Sequence, residues 1–467
     1  MNRIPACLLR QIMAPVLLSA GAVVLASGPA AADAPALCRE AKALKDAGEL
    51  DAAARAYREA IRLDPAGEEA WWGLAWVCRK QGAAATAVEA FRKVVELARD
   101  PARRRDAEAA LERMGATVTQ PEPPVDDSLE GARDLIRRGR SAEALRLLRT
   151  LRARESERVE AESLMAEVKR GRRLVRVRAA ADEEFRSLPG WEERLRARLA
   201  AAAGEVSRQL EVDFELVGIE PWRRGETAPG GMAVVADLQA AVPDAGVDLV
   251  VGFVAERHAA PPEGERLEIR GHTMGLAPCF AGTVVVTEVI ASRDGAQWRV
   301  PEANLRENLT HELGHCFGAV HVMGPSVMRA QPDGAPLFDF DALNLEAMRA
   351  CRWVDFREQF LSLEPAELQR LEAAYQRLAA GPAGDDGAHF YRALALTYLE
   401  RHQEAIGEYE AVLRTSRLDA YAYLNLGKLY ELTGDLDKAR THWKLAAALG
   451  TPPAATMARE ELARTEP

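Results

Sequence analysis

A chain of 467 residues, 48% hydrophobic and 28% charged, is long enough for several packed domains and too apolar to be disordered. Its formal charge is −10, from 61 Lys and Arg against 71 Asp and Glu, and becomes −12 without Arg3 and Arg10. An acidic balance of this size argues against nucleic acid and anionic membranes as partners.

Residues 1–32 place Arg3 and Arg10 before an apolar stretch from about Ile12 to Ala26, then Gly28-Pro29-Ala30-Ala31-Ala32. That is the pattern of a secretory signal peptide with an A-x-A cleavage site before Asp33, and it predicts export to a periplasmic or extracellular address. The apolar stretch is short for a membrane span and no later segment reaches 18 apolar residues, so no span is expected after cleavage. Loss of Cys7 leaves Cys38, Cys78, Cys279, Cys316 and Cys351. An odd count leaves at least one thiol unpaired or bridged between chains, and one disulfide among Cys279, Cys316 and Cys351 is expected.

Beyond residue 33 a small–bulky pattern recurs. Counted from turn positions at Gly48, Gly82, Gly139, Glu400 and Gly434, alanine follows five residues on, at Ala53, Ala87, Ala144, Ala405 and Ala439. A bulky side chain stands nine residues on, at Tyr57, Phe91, Leu148, Tyr409 and Trp443. Seven residues before each turn the residue is small: Ala41, Ala75, Ala132, Ala393 and Gly427. Small residues let two helices approach closely, and the bulky one fills the space between pairs. The pattern resembles tetratricopeptide repeats. The resemblance implies all-α segments at 33–115 and 363–467, a repeat-like helical segment at 128–172, and a concave groove for a protein or peptide partner. Pro-rich residues 120–124 and Gly/Ala-rich residues 380–384 separate these segments from their neighbours. The arginines between Arg133 and Arg178 alternate with glutamates at helical spacing, which reads as a solvated helix face.

Residues 173–357 have a different texture. Apolar or β-branched runs predict strands at 174–179, 212–219, 247–254 and 282–289, with helices at 191–210 and 232–241. A helix is predicted to begin near Pro301-Glu302, and a last one, capped by Asp339 or Asp341, to run to about Trp353.

The helix beginning at Pro301 leads into His311-Glu312-Leu313-Gly314-His315-Cys316-Phe317-Gly318-Ala319-Val320-His321. His311 and His315, four apart, share one helix face and can share a metal ion. Glu312 stands beside them as the candidate general base. Gly318 permits backbone angles that other residues resist, so that the chain leaves the helix and returns His321 as a third ligand. Three imidazoles leave a fourth tetrahedral position for water, the arrangement of a catalytic zinc ion.

The motif resembles the metzincin clan of zinc peptidases, and the matrixin-like members in particular. The family adds a tight turn carrying a methionine beneath the metal, and Ser326-Val327-Met328 after Gly324-Pro325 makes Met328 that residue, with Met323 as its competitor. The resemblance implies an α+β domain with a mixed twisted sheet over 173–357, one catalytic Zn2+, and an edge strand above the cleft that pairs with an extended substrate. Gly275, Leu276 and Ala277 are the candidates for that rim. The function implied is an exported zinc endopeptidase, acting through a zinc-activated water and Glu312, with repeat modules that bind protein or substrate. The alternative is a secreted repeat scaffold whose zinc domain is inactive or structural.

Overall fold

The computed structural model describes residues 34–81, 84–114, 126–225, 231–242, 244–259, 275–293, 296–330, 334–381, 386–417, 419–451 and 453–465. The residues expected to form an export signal, the Pro-rich linker and the turn at Gly82 fall outside the described residues. The chain divides into two compact units, one built of residues 21–125 with 220–223, the other of 126–219 and 224–467. No helix among the described residues is long and apolar enough to cross a membrane.

Among the described residues the first unit is a run of five helices: α1 (Ala34–Asp46), α2 (Leu50–Leu63), α3 (Glu68–Lys80), α4 (Ala84–Leu97) and α5 (Pro101–Arg113). The repeating small and bulky positions are its core, with Ala41, Ala53, Tyr57, Ala75, Ala87 and Phe91 all buried. Trp72 and Trp76 meet Phe91 edge to face, with centroids 6.0 and 5.3 Å away. Gly48 adopts φ +84° between α1 and α2, where an L side chain would be strained.

The second unit opens with α6 (Leu129–Arg137), α7 (Ser141–Arg152) and α8 (Arg158–Arg170), which bury Ala132, Ala144 and Leu148 as the repeat pattern requires. Next come β1 (Arg173–Ala181), a single turn α9 (Glu183–Arg186), α10 (Trp191–Leu210), β2 (Val212–Pro221), α11 (Met232–Ala241) and β3 (Leu249–Ala259). They are followed by β4 (Gly275–Leu276), β5 (Thr283–Arg293), β6 (Ala296–Arg299) and α12 (Glu302–Cys316). The strands form one mixed sheet in the order β2-β1-β3-β5-β4, with β6 also paired to β5. β1, β3 and β5 are mutually parallel, and Val251 pairs with both Ala179 and Val284 at the centre. Such strands are covered on both faces, which is why they read as near-continuous valine runs. β4 runs antiparallel to β5, Gly275 facing Val286 and Leu276 facing Val285.

The chain closes with α13 (Ala342–Ala350), α14 (Pro365–Ala379), α15 (Asp386–Tyr398), α16 (His402–Thr415), α17 (Ala420–Leu432), α18 (Leu436–Leu449) and α19 (Ala454–Arg464). Asp341 caps α13 by accepting the Asn344 amide at 3.0 Å. In the last repeat an added Cβ at Gly427 would lie 2.3 Å from Trp443 Nε1, so the small residue directly makes room for the bulky one.

Three expectations need correction. Segments 128–172, 173–357 and 363–467 read as separate, yet they share one unit, and one apolar core runs from Val175 in β1 through Phe280 and Met328 to Tyr375, Ala393 and Leu426. The arginine run is not wholly solvated: on α7, Arg146 meets Asp355 at 2.5 Å, Arg149 meets Glu358 at 2.6 Å, and Arg152 meets Glu364 at 3.0 Å. Their partners lie about 210 residues away, beyond any helical spacing rule. The expected disulfide is absent, Cys279, Cys316 and Cys351 all being free thiols. Cys316 points its sulfur back along its own helix to the Glu312 carbonyl at 3.6 Å, and Cys351 is fully buried, so both act as small apolar fillers.

Candidate metal centre

The motif helix α12 starts after Pro301 and ends at Cys316. Its end is a Schellman turn: Ala319 N–H donates to the Gly314 carbonyl at 3.0 Å and Gly318 N–H to that of His315 at 2.9 Å, with Gly318 at φ +85°. A Cβ at Gly318 would meet the Phe280 ring at 2.5 Å and the Tyr375 hydroxyl at 2.9 Å. Glycine is required there twice over, for its angle and for its size. Tyr375 in α14 donates its hydroxyl to the Gly318 carbonyl at 2.7 Å, and the Asn344 side chain grips both polar groups of Val320, at 2.8 and 3.0 Å. The segment that returns His321 is thus held on both sides.

His311, His315 and His321 converge, with one ligand atom of each within 4.8 Å of the others. Nε2 of His311 lies 3.0 Å from Nε2 of His315 and 3.2 Å from Nε2 of His321. His311 Nδ1 faces the Val327 carbonyl at 2.8 Å, and His315 Nδ1 faces that of Ala319 at 2.8 Å. A carbonyl only accepts, so in the neutral rings Nδ1 carries the proton and Nε2 presents a lone pair. Burial favours the neutral state: it pushes His311 down to about 4 and His315 well below its ordinary value. Lone pairs facing one another at 3 Å repel unless a cation lies between them. Ligands about 2.0–2.1 Å from one tetrahedral ion stand about 3.3 Å apart, so the donor set fits zinc. The two carbonyls are the outer partners that fix tautomer and ring direction for metal-binding histidines. His315 is buried, His311 intermediate and His321 exposed, which leaves one side open to solvent.

Met328 is fully buried, and its sulfur would lie 2.9 Å from a Cβ at Gly314, beneath the helix turn between the two histidines. The competitor Met323 is 72% exposed. The Met328 turn is tied by Val327 N–H to the Asp339 carbonyl at 2.8 Å and by Met328 N–H to Ser326 Oγ at 3.1 Å. The same turn that buries Met328 therefore supplies the carbonyl that orients His311.

Glu312 is buried, and burial raises its carboxyl to about 8 against the opposing hydrogen bond from the Ala277 amide. A divalent cation nearby would favour the ionised form. The rim candidates sit against it: a Cβ at Gly275 would lie 2.5 Å from Glu312 Oε1 and 2.7 Å from Asn308 Nδ2, Leu276 ends β4, and Ala277 follows the strand and supplies the amide that bonds Glu312. Sequence reasoning missed the supporting shell of Val327, Ala319, Asn344 and Tyr375. Two of these act through backbone carbonyls, which leave no mark on the side-chain sequence. Asn344, three residues after a capping Asp341 and fully buried, is the one that a search for polar residues on an apolar helix face would find.

A family model described as tetratricopeptide repeat matches residues 38–104 and 390–455. The comparison with curated proteins gave no match. Solved structures that align include a tetratricopeptide repeat protein from Parabacteroides merdae, 13% identical over 92% of this chain and 97% of that one, TM-score 0.21. Yeast Tom70 aligns at 12% identity over 92% and 88%, TM-score 0.23, and the TPR2AB domain of yeast Sti1 in its pHSP90 complex at 12% over 92% and 96%, TM-score 0.21. At such TM-scores these superpositions carry no argument about this chain. The family model does: residues 38–104 and 390–455 are tetratricopeptide repeats.

Proposed function

We propose that the protein is an exported zinc-dependent peptide hydrolase whose repeats bind a protein partner or the substrate. One observation carries the reading: three imidazoles turn Nε2 toward a common point beside a buried Glu312. The sheet order, the antiparallel β4 at its edge, the turn at Gly318 and the sulfur of Met328 under Gly314 support the metzincin resemblance.

Zinc held by His311, His315 and His321 would supply Lewis acidity toward a carbonyl oxygen and a water of lowered pKa. The residues of the chain do the rest. The carbonyls of Val327 and Ala319 hold the first two rings in their ligating tautomer. Glu312 takes a proton as general base and returns it to the leaving amine. The Ala277 amide fixes its carboxylate, and the backbone at Gly275 covers it from water. β4 ends the sheet among the described strands, so its outer edge is available to an extended peptide as a further strand.

The match to repeat models supports a second reading, a secreted interaction scaffold with an inert zinc domain, because the matched residues all lie outside 173–357. A mixed peptide library separates the two. The hydrolase reading expects cleavage by the zinc-loaded full chain that stops with chelator, and a drop of about 10^2–10^4-fold in Glu312→Gln with zinc retained. No cleavage of any peptide by the zinc-loaded wild type favours the scaffold.

A further inference from the structure

One turn before His311 on α12, Glu307 is 4% exposed, and its carboxylate accepts from Arg329 Nη2 at 2.7 Å and from the Leu337 amide at 2.9 Å. Arg329 directly follows Met328, and its Nη2 also donates to the Ala335 carbonyl at 3.0 Å. The backbone of Arg329 bridges to Val322, the neighbour of His321, while Val322 N–H donates to the Met328 carbonyl at 3.0 Å. Arg329 therefore joins three things: the motif helix through its side chain, the Met328 turn through its peptide, and the segment carrying His321 through its bridge to Val322. The ion pair is an expensive way to fill this space. Arg329 Nε is buried with no hydrogen-bond partner, and a buried ion pair is often no more stabilising than apolar residues of equal volume. What apolar residues lack is direction, and direction is what the Val327 carbonyl needs if it is to hold the His311 ring.

We propose that Glu307 and Arg329 are positioning residues, whose buried ion pair fixes the Met328 turn against the motif helix and so sets the tautomer and direction of His311. The proposal rests on the three-histidine reading only for its metal readout. The test compares the full chain with Arg329→Met and Arg329→Lys by three measurements: melting temperature, the His311 ring tautomer in metal-free protein labelled with 15N-histidine, and the visible spectrum and affinity for Co(II). The expected result in Arg329→Met is loss of the single Nδ1–H tautomer at His311 and a fall of about 10–100-fold in Co(II) affinity, with a changed spectrum. Arg329→Lys restores both. Should Arg329→Met fail to fold, Glu307→Gln, which keeps an acceptor for Leu337 but removes the charge, is expected to show the same changes in weaker form. A wild-type tautomer and Co(II) spectrum in folded Arg329→Met overturn the proposal whatever the melting temperature does, and in its absence the same result in Glu307→Gln does so. If the wild type takes up no Co(II), the metal reading fails, and the His311 tautomer in metal-free protein still decides the role of the pair.

Discussion

The turns at Gly434 and Gly318 use the same backbone device for different ends. At Gly434, between α17 and α18, Asp435 N–H donates to the Tyr430 carbonyl at 2.8 Å and Gly434 N–H to that of Glu431 at 3.0 Å, with φ +89°. Gly318 repeats that bonding with φ +85°. An added Cβ at Gly434 would meet nothing within 4 Å, whereas at Gly318 it would strike Phe280 and Tyr375. In the repeat the turn only reverses the chain, and at Glu400 a non-glycine residue fills the equivalent position at φ +59°. At the candidate metal centre the turn is packed from both sides, and it carries the chain back so that His321 meets His311 and His315. The difference teaches that local geometry is shared, while the tertiary surroundings decide what it does.

The widest gap is expected for Gly318→Ala, which adds strain and overlap together. It should cost about 3 kcal/mol and strip zinc from the site, as measured by denaturant unfolding and metal analysis. Equal stability loss in Gly318→Ala and Gly434→Ala would break the comparison. Gly427→Ala should cost about 2 kcal/mol through its clash with the fully buried Trp443, while leaving zinc content unchanged. Zinc loss there would mean that the last repeat and the metal centre are one mechanical body.

Asp182 sharpens the picture of the sheet end. It caps α9 by accepting the Phe185 amide at 2.8 Å and also accepts that of Ala255 at 3.3 Å. Burial raises its carboxyl from 3.8 to about 6, the two amides and Arg224 opposing. Because the folded value is the higher one, its contribution is intact below about pH 4 and is lost as pH rises through 6. Asp182→Asn keeps the acceptor and removes the charge. Its stability relative to wild type should be near zero at pH 4 and rise by about 2 kcal/mol by pH 8, read from unfolding midpoints. A difference that does not vary with pH would contradict this. Gly434→Ala, at about 1 kcal/mol, should be the mildest of the set.

The repeats were legible because their packing rule is local: Gly427 and Trp443, or Ala41 and Tyr57, lie 16 residues apart and recur. The central strands were legible because burial on both faces demands runs such as Val284-Val285-Val286. α10 spans Trp191–Leu210 as its apolar spacing predicts, and α12 begins directly after the expected proline. What stayed hidden depends on partners distant in sequence or on backbone atoms. β6, Ala296–Arg299, is four residues long, too short for its alternation to stand out from the chain around it, and β4 is two residues long and defined only by its pairing to β5. The carbonyls of Val327 and Ala319 and the pairs from α7 to Asp355 and Glu358 belong to the same class.

Zinc stoichiometry of the dialysed full chain, measured side by side for wild type and His321→Ala, tests the three-imidazole centre most directly. One tightly held zinc per wild-type chain and a severe loss of affinity in the variant are predicted. Equal zinc content in both, or none in either after equimolar zinc is supplied, would contradict it.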